Sequence, residues 1–100
     1  MTDFDEEKLR ADREIKARDL SQREADDINQ VMSTEGGRRV VWSVLEQGRV
    51  FSAIPPMDAL AMAFNEGQRN LALALFQRVM QHCPHQYLKM AEEANQQEQS

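Results

Sequence analysis

Apolar positions fall into two regimes along the chain. In residues 1–27 they are Phe4, Leu9, Ile15 and Leu20, beside Met1 and small alanines, too few and too irregularly spaced to bury a core. From Ile28 onward they recur at helical intervals, which places the core in about residues 28–91.

The segment from Glu6 to Ala25 is rich in helix formers, has no Gly or Pro, and offers i,i+4 pairs such as Glu6 with Arg10 and Glu14 with Arg18, so it reads as a solvated helix. It is either an exposed or frayed arm or one that orders against a partner or a neighbouring subunit. Ser33-Thr34-Glu35-Gly36-Gly37 ends the helix holding Ile28, Val31 and Met32 and starts another with Ser33 or Thr34 as N-cap. That second helix carries Val40, Val41, Val44 and Leu45 with Trp42 beside them, one broad buried face, although its β-branched valines leave a strand as the alternative.

Gln47-Gly48-Arg49 closes it, and Val50 to Pro56 reads as an extended apolar loop, because a residue preceding proline avoids the helical region; Phe51 and Ile54 are expected to plug the core edge. Asp58 is a plausible N-cap for a central helix over roughly 58–82, with Leu60, Phe64, Leu71, Leu75 and Val79 as its stripe and Leu73, Phe76 and Met80 flanking. Gly67 on that stripe either lets another helix approach closely, the favoured reading, or marks a break in the helix. Pro84 suits the first turn of a last short helix docking Tyr87, Leu88, Met90 and Ala91, before a polar tail from Asn95 to Ser100.

The expected fold is therefore all-α, a small bundle of three to four helices with an extended charged N-terminal arm. Residues 1–27 are the arm, 28–94 the helical core, and 95–100 a polar disordered tail. The core is expected to pack through Val40, Val44, Leu45, Phe64, Leu71, Leu75 and Tyr87. So small a unit buries a modest fraction of its surface and is expected to gain stability from a partner or from copies of itself.

Composition narrows the function. One hundred residues fit one small domain, which excludes a large multidomain enzyme. The formal net charge of -5 is uneven: residues 1–30 hold ten acids and six bases, and residues 31–90 hold four acids and six bases. The single Cys83 excludes an internal disulfide framework and points to a reducing compartment. The acidic start shows no secretory or transit pattern, and no stretch has the length of a membrane span.

Candidate chemistry is thin. His82, Cys83 and His85 lack the spacing of a zinc site and read as a turn with solvent-facing histidines; they also lack an orienting third group for nucleophilic catalysis. Glu35-Gly36-Gly37-Arg38-Arg39 lacks the frame of a phosphate loop. Arg38 and Arg39 sit against the helix dipole, so they pair with Glu66 or Asp58, are offset by Glu35, or face a phosphate backbone or acidic partner. Arg38, Arg39, Arg49, Arg69 and Arg78 make the 31–90 unit mildly basic, yet Trp42, Phe64, Phe76 and Tyr87 read as core rather than stacking platforms. Glu66 and Arg69, at i,i+3, read as a local ion pair or inter-helix contact.

From Met32 to Glu93 the chain resembles a family of small proteins of tailed bacteriophages, named after a Bordetella phage member and encoded among virion-structure genes. The resemblance rests on Ser33-Thr34-Glu35-x-Gly37-Arg38-Arg39-x-x-Trp42-x-x-Leu45, on Gly48-x-Val50-Phe51, and on Asp58-x-Leu60-x-x-Ala63-Phe64-Asn65-Glu66-Gly67-x-Arg69-Asn70. It continues in Leu71-x-Leu73-x-Leu75, Cys83-Pro84 and Tyr87-x-x-Met90. It implies a phage protein tied to the head, portal region or genome delivery, found in the virion or in the host cytoplasm during assembly, and it brings no catalytic residues.

The expected function is non-enzymatic and needs no cofactor or metal: protein-protein contact with portal or head components, or with further copies, through Arg38, Arg39, Arg69, Phe51 and Ile54. The alternative is a small DNA-contacting module in packaging or gene control that uses the same arginines.

Overall fold

The structure, a computed structural model, describes residues 2–99, and within them the chain forms four helices: α1 (Asp3–Met32), α2 (Glu35–Gln47), α3 (Ala59–His82) and α4 (Pro84–Gln99). The all-α expectation holds, and the valine-rich segment 40–45 is helix. Met1 and Ser100, the outer ends of the expected arm and tail, lie outside the described residues.

Each boundary has a local cause. Thr2 caps α1 by accepting from the Asp5 amide at 3.3 Å, Thr34 caps α2 through the Gly37 amide at 3.0 Å, and Asp58 caps α3 through the Ala61 amide at 2.9 Å. Each satisfies one of the amides that a helix start leaves without an intrahelical partner. The end of α2 is a Schellman turn: Arg49 N–H donates to Glu46 C=O and Val50 N–H to Leu45 C=O, with Arg49 in the left-handed region at φ 56°. Glycine normally takes that place. Here Gly48 sits one residue earlier, where a Cβ would lie 2.3 Å from the Cβ of Ala72 on α3, so close helix packing rather than backbone conformation demands it.

The expected arm is helical, and its helix runs on into the core without a break. One boundary differs from the sequence reading: the tail expected to be disordered is helical to Gln99. Polar residues continue α4 because nothing in Asn95-Gln96-Gln97-Glu98-Gln99 breaks a helix.

The core is built from Met32, Leu45, Val79, Cys83 and Met90, all fully buried, with Ile28, Val41 and Ala72 around them. Leu75 and Tyr87 pack partly buried against it, but the other expected core residues do not: Val40, Val44, Phe64 and Leu71 are exposed. On α3 the buried face is that of Ala72 and Val79 with Leu75 and Phe76, about 90° around the helix from the stripe of Leu60, Phe64 and Leu71. Gly67 belongs to the outer stripe; a Cβ there would meet nothing within 4 Å, so it marks open space rather than close packing.

Every described side chain from Thr2 to Arg23 is exposed, and α1 joins the core only from Glu24 onward. The protruding helix gives the chain extents of 63 × 38 × 15 Å and a Cα radius of gyration of 18.9 Å, against about 13 Å for a compact domain of this length.

Candidate interaction surface

Charge pairs fasten the helices at two points. Arg38 of α2 is 5% exposed; its guanidinium forks onto the Glu93 carboxylate of α4, with Nη2 to Oε2 at 3.2 Å, while Nη1 donates to the carbonyl of Met32 at 2.9 Å. One side chain thus joins three helices, the bidentate geometry for which arginine is suited. The pairing holds the Glu93 carboxyl below the usual carboxylate range and raises the already high pKa of Arg38. The pairing of Arg38 and Arg39 with Glu66 or Asp58 is corrected: Arg38 takes Glu93, and Arg39 lies 3.8 Å from Glu35 on its own helix. Nor do Glu66 and Arg69 appear among the ion pairs of the described residues.

At the root of the arm, Glu24 of α1 accepts from Arg78 at 2.7 Å and lies 3.1 Å from His82 Nε2, both on α3. Its hydrogen bonds with His82 and then Arg78 hold its carboxyl below the usual range. His82, expected to face solvent, has a side chain only 8% exposed, because α1 lies over the end of α3. Cys83 beside it is fully buried, and burial pushes its thiol up, which disfavours the thiolate that nucleophilic chemistry needs. Among the described residues no three His, Cys, Asp or Glu side chains gather as a metal site, and no helix is long and apolar enough to cross a membrane.

The residues expected to meet a partner are dispersed. Arg38 is engaged internally. Arg39, on the groove between α2 and α4, remains exposed, and Arg69 is half-buried on α3. Phe51 stacks on Trp42 at 5.1 Å between ring centroids and stands edge-on to Phe76 at 5.7 Å, yet 46% of its surface is open. Ile54 is half-buried in the loop. Trp42, Phe76 and Tyr87 are thus a cluster against the core, as the aromatic spacing implies, and Phe64 is the exception, 66% exposed.

Sequence reasoning missed an apolar surface strip by turning it inward. Leu60, Phe64 and Leu71 are 85%, 66% and 75% exposed, and Leu71 shares a groove with Val44, Gln47, Gly48, Gln68 and Ala72 at the α2–α3 seam. The signal was present in α3, which is apolar on two arcs rather than one.

The molecule thus offers an exposed helical arm and an uncovered apolar face, with Arg38 and His82 engaged in holding helices together. No curated protein and no solved structure matches the chain. Residues 28–92, from the first buried residue of α1 to the middle of α4, match the Bbp19-like phage protein family, and the chain belongs to that family.

Proposed function

We propose that this phage protein is a non-enzymatic structural or assembly component, associated with the head, portal region or genome delivery, and that it acts by protein-protein contact. The observation that carries this reading is the arm: from Thr2 to Arg23 every side chain of α1 is exposed. An exposed polar helix of that length gains no stability from tertiary packing, and bridging to another body is one of the ways such a helix is held. The half-open Phe51 and the exposed Arg39 add contact points on the core.

DNA contact in packaging or gene control ranks second. Of the arginines it would use, Arg38 is buried against Glu93, which leaves Arg39 and the half-buried Arg69 as the charges to meet a phosphate backbone.

Quantitative mass spectrometry of purified particles of the encoding phage, before and after DNA ejection, tests the proposal. A defined copy number makes the chain a virion component, and its loss on ejection makes it a delivered one. Absence from both mature particles and assembly intermediates would overturn the reading. Salt-sensitive binding of the purified chain to duplex DNA would promote the second.

A further inference from the structure

We propose that the outer face of α3 is the contact between two copies of this chain, paired antiparallel. Leu60, Phe64, Gly67, Leu71 and Ala74 are all exposed and follow one another at steps of 4, 3, 4 and 3, the spacing of a coiled-coil seam. At about 100° per residue they lie within an arc of about 80°. Among residues 59–77 only Glu66 and Arg69 are charged, and helical geometry turns both away from that arc. An apolar strip this long and this free of charge is unusual on a solvated monomer.

The occupant follows from the order of sizes along the seam. When two such helices run antiparallel with the crossing between Asn65 and Glu66, Phe64 of each faces Gly67 of the other, and Leu60 of each faces Leu71. The open space at Gly67, where a Cβ would meet nothing within 4 Å, becomes the hole for an aromatic ring. The groove at the α2–α3 seam, about 200 Å³ and lined by Val44, Gly48, Leu71 and Ala72, receives the second copy's Leu60. A face that supplies both its knobs and its holes under a two-fold operation is self-complementary, as an isologous interface requires. Covering these side chains on both copies removes on the order of 1,000 Å² from water, the lower end of what specific interfaces bury. The pairing is independent of the virion reading, since it concerns the isolated chain.

Sedimentation of the full chain at tens of micromolar is expected to give twice the chain mass. The double variant Leu60→Lys, Leu71→Lys is expected to weaken association at least tenfold while keeping its circular dichroism, since both side chains already face solvent. Gly67→Lys, which meets no neighbour within the chain, should do the same. Register is read by disulfides: Leu60→Cys mixed with Leu71→Cys cross-links, and Leu60→Cys alone does not. A monomer at these concentrations, a dimer indifferent to the lysines, or cross-linking by Leu60→Cys alone would each overturn the proposal.

Discussion

Gly48, at the C-cap of α2, and Ala72 of α3 meet so closely that neither tolerates a larger neighbour: a Cβ at 48 would lie 2.3 Å from the Ala72 Cβ and 3.2 Å from the Gln68 carbonyl. Gly48→Ala is expected to destabilise the chain by about 1–3 kcal/mol, the range for overpacking. One residue later the sign reverses. Arg49 holds a left-handed φ of 56°, which costs a side chain about 1 kcal/mol, so Arg49→Gly should gain roughly that amount. Urea unfolding of the two variants checks the opposed signs.

Gly37 carries a second such demand. A Cβ there would sit 1.8 Å from the Val31 carbonyl oxygen, a backbone atom that cannot swing aside, so Gly37→Ala should cost about 3 kcal/mol or prevent folding. Gly36→Ala, whose Cβ would rest 3.8 Å from Arg39, should stay within about 0.5 kcal/mol of the parent. Thermal melts of the pair separate steric demand from a general aversion to changes in the turn.

The bond between Arg38 and Glu93 predicts the acid limb of stability. Because the folded pKa of Glu93 is lowered by Arg38, its contribution is full above the unfolded carboxylate pKa and is lost as pH falls through the folded one. Glu24, lowered by His82 and Arg78, titrates with the same sign. Denaturation midpoints from neutral to acid pH should show Glu93→Gln clearly less stable than the parent at neutral pH. The gap should close as the parent's carboxylates protonate, and a constant gap would refute the linkage.

How much of this was legible depends on the range of the contact. Caps and stops, such as Asp58 and Pro84, depend on neighbours within three or four residues and are legible directly, and the cap of α2 is narrowed to Ser33 or Thr34. Which arc of α3 faces inward is not legible, because Leu60-Phe64-Leu71 and Ala72-Leu75-Val79 both repeat at helical spacing and periodicity alone does not rank them. Size argued for the first, yet smallness at Ala72 is what lets Gly48 approach and selects the second. The sequence assigns Arg38 the wrong partner and turns His82 to solvent because their true partners stand 55 and 58 residues away along the chain. The surface strip was hidden for the same reason as the core: a leucine stripe looks alike whether covered or bare.

Hydrogen exchange should divide α1 in two. Amides before Arg23 are held only by local helical bonds and should exchange with little protection, whereas those near Ile28 and Met32, buried in the core, should approach the global unfolding limit. Removing residues 1–20 should leave the melting of the remainder nearly unchanged.

Cys83 offers a clean reporter. It is fully buried, and burial raises its pKa, so an aromatic disulfide reagent should label the native chain far more slowly than the urea-unfolded one. Native labelling as fast as in urea would place the thiol at the surface and contradict the packing of α3 on α4.

Because α1 is continuous from Asp3 to Met32, it also sets a length. At 1.5 Å of rise per residue Phe4 stands about 36 Å from Ile28, and whatever grips the tip is kept at that separation and at a fixed azimuth from the body. The rod is therefore a gauge: seven inserted residues would lengthen it by about 10 Å and nearly restore the facing of the tip, whereas two would turn the tip by about 200° while hardly changing the reach.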